Sequence, residues 1–540
     1  MMQRWLHTWW EVILLAVFAA WLLFNHLDGP LLEPDESRYA EIPRLMLRTG
    51  DWITPKLQGK PYNDKPPLVY WLIAFSYQLF GISITSARLV PAVAGFLTLG
   101  LVYFWTRRYF NRTAAGCTVV VMLSMLGYAA MMRMLLLDGV LTFLVLGALL
   151  SGHHALAQGR HPAWWLLSAF LCGLGVLAKG PVALVLVTPC LFALRWLDRN
   201  TTPLRLQDTA IYGIVALLLA GPWYLVMLGT NEHFGSEHFL RHHLQRFLDP
   251  AHHERPIWYY IPTLLIELLP WPLLLYFVIR RWRVWTGTER FVVFFCLFCF
   301  LFFSAAGAKL PTYLLPILPM LAVLIGTQLQ ILISKPTLAH AWAWTLGIAL
   351  IMMLFILTML PVGMYYYLKE GTLQVDEFSL TMLVVWAGCI GWQIQSKMQN
   401  SFRWVALGFA CLMVNGLVNH RAVPMYARQA SIVEDCEELK QLARLEQIPC
   451  VAHRNSWDAV SFDQNGEELE VFSSKEWPAF IDWLQRHPRC MVWMRDYKNR
   501  IDAFTDALPE TVEVEQTIDK GRVQAIIIRS KILNAGAVAP

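Results

Sequence analysis

Asp35 and Glu36 sit just after the first long apolar run, and Asp138 closes the apolar stretch of RMLLLDG (133–139). A carboxylate at the edge of an apolar segment is expensive unless it is paired or used. Arg38, Tyr39, Lys65, Arg246 and Lys309 lie at comparable edges. Acids and bases around one membrane face suit an anionic lipid headgroup. Arginine grips phosphate bidentately, and lysine acts as a compact point charge. A group that departs with a phosphate needs such cationic support as negative charge builds. The chemistry open to this set is transfer of a group carried on a lipid phosphate. Plainer readings stand beside it. Asp35 could N-cap the helix that follows, and Asp138 could be a helix cap or a snorkelling surface charge.

Other polar residues are less specific. His238, His242, His243, His252 and His253 crowd one loop, and the spacing of His238 and His242 puts two rings on one helix face. Such a pair can hold a divalent metal, but such clusters more often sit at an interface or bind lipid phosphate. Trp258, Tyr259, Tyr260 and Trp271 read as interfacial belt residues before substrate stackers. Lys309 and Tyr313 of GAKLPTY (307–313) could reach a headgroup or merely anchor helix ends.

These residues must be held by a membrane-spanning scaffold. The 540 residues are 56% hydrophobic and only 15% charged, with mean hydropathy +0.43 and formal net charge +5. A bilayer core of about 30 Å needs roughly 20 apolar residues per helix, which gives about thirteen spans here. They fall near 11–28, 87–106, 114–131, 138–157, 163–178, 181–196, 209–229, 257–279, 290–306, 311–333, 339–361, 378–395 and 402–419. The first is read as retained, because no small-x-small cleavage site follows it. Alternate loops are basic, among them TRRYFNR (106–112) and RRWRVWTGTER (280–290). By the positive-inside rule those loops are cytoplasmic, which places the N-terminus inside and the tail outside. The first outer loop, 28–86, then carries a helix from Asp35 to Arg48, kinked at Pro43 and stopped at Thr49-Gly50. A second, Trp/Tyr-rich helix begins at Pro66-Pro67 and would lie in the interface plane.

The chain divides into a membrane domain, 1–420, and a tail, 421–540, whose alternating short strands and helices read as a small α/β domain. Ten cysteines show no metal spacing. Cys296 and Cys299, inside an apolar run, read as buried inert thiols. A disulfide among Cys436, Cys450 and Cys490 is open if the tail is exported.

The block PDESRYAEIPRLMLRTGDWITPKLQGKPYNDKPPLVYWLIAFSYQLFG (34–81) resembles the opening of bacterial lipid A aminoarabinose transferases. These are glycosyltransferases of the GT-C fold related to protein O-mannosyltransferases. LLD (136–138), KG (179–180), HLQRF (243–247), HERPIWYY (253–260) and AKLPTY (308–313) follow in the family's order. The resemblance implies an all-α polytopic membrane protein with interfacial helices and a periplasmic C-terminal domain. It implies that Asp35 and Asp138 are the essential acids, with Lys65 beside them in a catalytic role. Arg38, Tyr39, Tyr62, Asp64, Arg246, Lys309 and Tyr313 become substrate-binding residues. Asp64 departs from the glutamate usual in the family's Lys-Pro motif, which bears on any metal held by Asp64 and His243. No cofactor is otherwise implied.

The activity implied is transfer of 4-amino-4-deoxy-L-arabinose from undecaprenyl phosphate to a lipid A phosphate at the periplasmic face of the inner membrane. That modification of lipopolysaccharide gives resistance to polymyxin and cationic peptides. A relative moving mannose, galactosamine or N-acetylglucosamine, or using a protein acceptor, is the alternative. A transporter would show charges near the midplane and a repeat between halves, and neither is evident. A scaffold that binds lipid without turnover is the third reading. Nothing points to nucleic acid.

Overall fold

The computed structural model describes residues 2–32, 34–57, 60–238, 255–334, 433–453, 470–472, 476–495, 504–519 and 523–530, with a few single positions between 347 and 416. The chain forms two compact units. One comprises Met1–Asp28, Asp51–Pro55 and Tyr62–Pro424; the other comprises Gly29–Gly50, Lys56–Pro61 and Met425–Pro540.

The first unit is helical. Its elements are α1 (Met2–Phe24), α3 (Leu68–Phe80), α4 (Ile84–Tyr109), α5 (Arg112–Ser124), α6 (Leu126–Arg133), α7 (Leu137–Ala157), α8 (Pro162–Lys179), α9 (Val182–Leu197), α10 (Leu206–Thr230), α11 (Tyr260–Glu267), α12 (Leu274–Arg280), α13 (Gly287–Ala305) and α14 (Ile317–Ser334). Among the described residues, six helices are long and apolar enough to cross a membrane, or seven if α5 and α6 form one bent span. The expected spans 339–361, 378–395 and 402–419 lie outside the described residues but for a few positions. α7 and α14 are buried almost throughout, whereas α10 exposes Leu217, Leu218 and Leu225. That contrast separates central helices from lipid-facing ones. α3 is too short to span at 1.5 Å per residue. It buries Tyr70, Ile73 and Tyr77 and exposes Leu72, Phe75 and Leu79, as an interfacial helix should.

Two expected continuous spans are broken. The span at 114–131 bends by 66° between α5 and α6. A break inside a membrane frees backbone groups that water cannot satisfy. Asn415 Nδ2 donates to Leu123 O at 2.6 Å and Met125 O at 3.1 Å, and Leu126 N donates to Leu269 O at 3.1 Å. Trp271 Nε1 donates to Ser124 Oγ at 2.8 Å. Trp271 is therefore a core residue, not the belt residue expected. The span at 257–279 is divided into α11 and α12, because Pro270 and Pro272 remove donors between them.

Helix ends at the short connections are capped. Asn111 Oδ1 accepts from Ala114 N at 2.8 Å. Thr286 and Glu289 form a reciprocal box, with Thr286 Oγ1 accepting from Glu289 N at 3.1 Å and Glu289 Oε2 from Thr286 N at 2.7 Å. The turn after α1 is held by two buried arginines. Arg88 Nη1 donates to Leu27 O at 3.1 Å, and Arg133 Nη2 to Asn25 O at 2.5 Å.

The second unit contains α2 (Asp35–Thr49), the two-residue pair β1 (Lys56–Leu57) and β2 (Lys60–Pro61), and a mixed sheet. Its strands are β3 (Cys450–His453), β4 (Glu470–Phe472), β5 (Arg489–Arg495), β6 (Val512–Asp519) and β7 (Val523–Ser530), in the order β4-β3-β5-β7-β6. β3 pairs in parallel with β4 and β5, and β7 antiparallel with β5 and β6. Strand alternation divides the core. Met491 and Trp493 face Leu439 and Ala443 of α15 (Val433–Leu445), while Val492 and Met494 face Phe480 and Leu484 of α16 (Trp477–Arg486). Cys450 belongs to the first core and Cys490 to the second, so these free thiols lie on opposite faces of the sheet. That placement excludes a disulfide between them.

Candidate active site

α7, α8 and the turn before α14 bring three side chains to one end of the bundle. Asp138 lies in the first turn of α7, where a carboxylate is favoured by the helix dipole. It makes no cap hydrogen bond, so the cap reading fails. Instead Lys179 Nζ donates to Asp138 Oδ1 at 2.5 Å. The pair is largely buried, with the side chains 9% and 14% exposed. The same ammonium lies 4.6 Å from the centroid of the Tyr313 ring, a cation–π contact. Lys179 is the last residue of α8, and Gly180 follows at φ +90°, a conformation that favours glycine. Gly180 thus ends the helix at the lysine.

Behind Tyr313, Lys309 is buried and donates to the carbonyls of Arg255, at 3.1 Å, and Ala306. Those contacts match the anchoring reading of Lys309. Tyr260 is buried too, and its hydroxyl donates to Leu310 O at 3.0 Å, so it fixes the turn instead of lining the membrane surface.

Lys65 lies in the loop between β2 and α3. Pro66 and Pro67 are buried behind it and begin α3. The approach to this loop is pinned by Trp71 Nε1 donating to Trp52 O at 2.7 Å and Trp223 Nε1 donating to Ile53 O at 2.9 Å. Tyr62 N donates to Pro55 O at 2.7 Å. Asp64 and Lys65 themselves are half-buried.

In the other unit, Asp35 is the first residue of α2, after Pro34, and does not N-cap it. Glu36 instead ties down the chain ahead of the helix, its Oε2 accepting from Leu32 N at 2.8 Å. Arg38 Nη1 lies 3.5 Å from Asp35 Oδ1, and Tyr39 is buried. α2 runs through Pro43 to Gly50, whose φ of +71° closes it. Glu41 and Arg44 form a buried bidentate pair at 2.6 and 2.7 Å.

The structure thus joins Asp138 to Tyr313 through Lys179, and Asp35 to Arg38. Arg246 and His243, like His242, His252 and His253, lie outside the described residues. Among the described residues no three His, Cys, Asp or Glu gather as a metal site. Both ring nitrogens of His238 face protein partners, Asn63 O at 2.8 Å and Tyr224 OH at 3.4 Å, which argues against a metal pair with His242.

Comparison with known proteins decides the family. Residues 64–225 match the family model described as dolichyl-phosphate-mannose-protein mannosyltransferase. The undecaprenyl phosphate-α-4-amino-4-deoxy-L-arabinose arabinosyl transferase 2 of Pseudomonas fluorescens is 30% identical over 90% of this chain and 91% of its own length. The corresponding transferase of Serratia proteamaculans is 30% identical over 78% of each chain. The chain belongs to this arabinosyl transferase family. It is accordingly a multi-pass membrane glycosyltransferase. The crystal structure of ArnT from Cupriavidus metallidurans bound to undecaprenyl phosphate superposes with a TM-score of 0.73 at 20% identity, covering 96% of this chain and 97% of that one. The arabinosyl transferase fold therefore extends over both units.

Within this arabinosyl transferase, Lys179 is the member of the candidate site that was not singled out from the sequence. Its signal was present. A lysine at the end of a span, followed by Gly-Pro, falls in the same set of short loops as Asp138.

Proposed function

We propose that the chain transfers 4-amino-4-deoxy-L-arabinose from undecaprenyl phosphate to a phosphate of lipid A. The observation that carries this reading is the match to the Pseudomonas fluorescens transferase along nine-tenths of the chain. In the reaction, an acceptor oxygen attacks the anomeric carbon of the sugar. The bond from that carbon to the donor phosphate breaks, and undecaprenyl phosphate leaves with the electron pair.

A phosphate monoester has a second pKa of about 6, so the acceptor is already largely anionic at neutral pH. It needs no general base. Asp35 then orients the acceptor or the sugar amine, and Arg38 holds its carboxylate in place. Lys65 and Arg246 bind the donor phosphate and support it as it departs, with Tyr62 and Asp64 shaping the same contacts. Tyr39, on α2, belongs with Asp35 and Arg38. Asp138 is committed to Lys179, so it acts by holding that ammonium and not by taking a proton. Tyr313 confines the ammonium from its other side.

Both substrates are amphiphiles, which accounts for a transferase embedded in the membrane. The basic loops at 106–112 and 280–290 support a cytoplasmic location for that end. The Asp138–Lys179 end is then periplasmic, as is the domain built on the C-terminal tail. The mannosyltransferase family model favours one second reading, a relative that carries another sugar or uses a protein acceptor.

The test is incubation of membranes containing the chain with defined undecaprenyl-phosphate sugars and lipid A, followed by mass spectrometry. Addition of one aminoarabinose to lipid A is expected, and it is reduced with Lys65→Ala and with Asp35→Asn. Transfer of a different sugar, or near-normal turnover in both variants at normal expression, would overturn the reading.

A further inference from the structure

Asn63 stands two residues before Lys65 and is buried, at 6% exposure. Every polar group of its side chain is taken up by one short segment. Asn63 Nδ2 donates to Glu237 Oε2 at 2.6 Å, and Asn231 Nδ2 donates to Asn63 Oδ1 at 3.0 Å. Its main-chain carbonyl lies 2.8 Å from His238 Nδ1. A carbonyl only accepts, so Nδ1 carries the proton. His238 is itself fully buried. Phe234 stacks on its ring at 4.9 Å and 16°, and Tyr224 OH faces its other nitrogen.

A surface loop does not need three hydrogen bonds to one asparagine. Lysine, however, is a point charge on a flexible four-carbon stem. Its ammonium can be aimed only if the backbone at its root is fixed. Here the root is held on both sides, by the Asn63 contacts before it and by the buried Pro66-Pro67 after it. The gripping segment, 231–238, also leads in sequence directly toward Arg246, the other expected phosphate ligand.

We propose that Asn231, Glu237 and His238 are positioning residues that clamp Asn63 and so fix Lys65 for the donor phosphate. The proposal rests on the reading of Lys65 given above. The clamp acts through charge complementarity, since the amide donates to a carboxylate, a strong type of hydrogen bond.

The test uses the full chain in membranes, with protein abundance measured for each variant. Asn63→Asp sets two carboxylates against each other and should raise the KM for the lipid-linked donor about tenfold, with kcat changed less than about threefold. Adding Glu237→Gln restores a donor–acceptor pair of reversed direction and should return KM to within about threefold of the parent. His238→Asn keeps a donor near the Nδ1 position and should retain donor binding, while His238→Leu should lose it. An unchanged KM in Asn63→Asp overturns the proposal, as does a double variant no better than the single at normal abundance. Lys65→Ala separates the two levels. If it raises KM while Asn63→Asp does not, the clamp is wrong and the reading of Lys65 stands. If Lys65→Ala leaves KM unchanged, the reading of Lys65 falls and the clamp's purpose with it.

Discussion

Lys179 Nζ lies 2.5 Å from Asp138 Oδ1, and the two residues come from the facing ends of consecutive helices of the bundle. Both side chains are largely buried. Taking one partner away strands the other charge in a poorly solvated place, which costs about 3–5 kcal/mol. Asp138→Asn and Lys179→Met are each expected to lower the thermal midpoint in detergent and to abolish transfer. Combined, they should recover much of the lost stability without activity. A double variant that regained transfer would remove both residues from the chemistry.

Close approach of α5 and α14 makes a second, purely structural prediction. A Cβ at Gly326 would stand 2.6 Å from Thr118 N and 2.7 Å from Thr118 Cα, and that main chain cannot swing aside. Gly100, on α4, meets nothing within 4 Å. Small residues let membrane helices pack backbone to backbone. Gly326→Ala should therefore reduce the yield of folded protein, whereas Gly100→Ala should match the parent. Size-exclusion profiles in detergent compare the two, and equal profiles would show that α5 and α14 can separate at little cost.

Much of this was legible in the sequence, for identifiable reasons. α2 was readable because Pro34, the acidic first turn and Gly50 are local signals of a helix start and stop. The α/β character of the tail was readable because the apolar residues of α15, α16, β3, β5 and β7 repeat at helix or strand spacing. β6 and β4 carry less of that signal, because VEVEQTID is an edge strand facing water on most positions and β4 has only three residues. The bend between α5 and α6 left no trace, since Met125 is as apolar as its neighbours and the groups that satisfy the break, Asn415 and Leu269, are distant in the chain. Lys179 and Asp138 could each be placed at a span end, but their pairing is tertiary. The same holds for Asn63, whose partners lie at 231–238.

The end of α2 gives a third prediction. Gly50 has φ +71°, and nothing lies within 4 Å of a Cβ built there. Space is therefore not the constraint, and only the backbone conformation is. Gly50→Ala should destabilise by about 1–2 kcal/mol, and Gly50→Asn by less, because asparagine tolerates the left-handed region. Denaturant unfolding followed by a probe in the second unit would measure this. An alanine variant as stable as the parent would mean that the turn can relax.

The two free thiols of β3 and β5 give the last prediction, and they link burial to pH. Burial pushes the Cys450 thiol up from 9.0 to about 12, with Lys440 pulling slightly the other way. Burial, aided by Cys450, does the same to Cys490. The thiolate is the reactive form, so at pH 8 both residues should resist iodoacetamide in the native chain and react readily in denaturant. The same shifts set a slope. Between pH 9 and pH 12 the unfolded chain releases protons that the folded chain keeps. Fewer protons bound in the unfolded state means that stability falls as pH rises. The thermal midpoint should decline across that window, and Cys450→Ala with Cys490→Ala should flatten the decline. Rapid labelling of both thiols at pH 8 in the folded protein would contradict the burial that β3 and β5 impose.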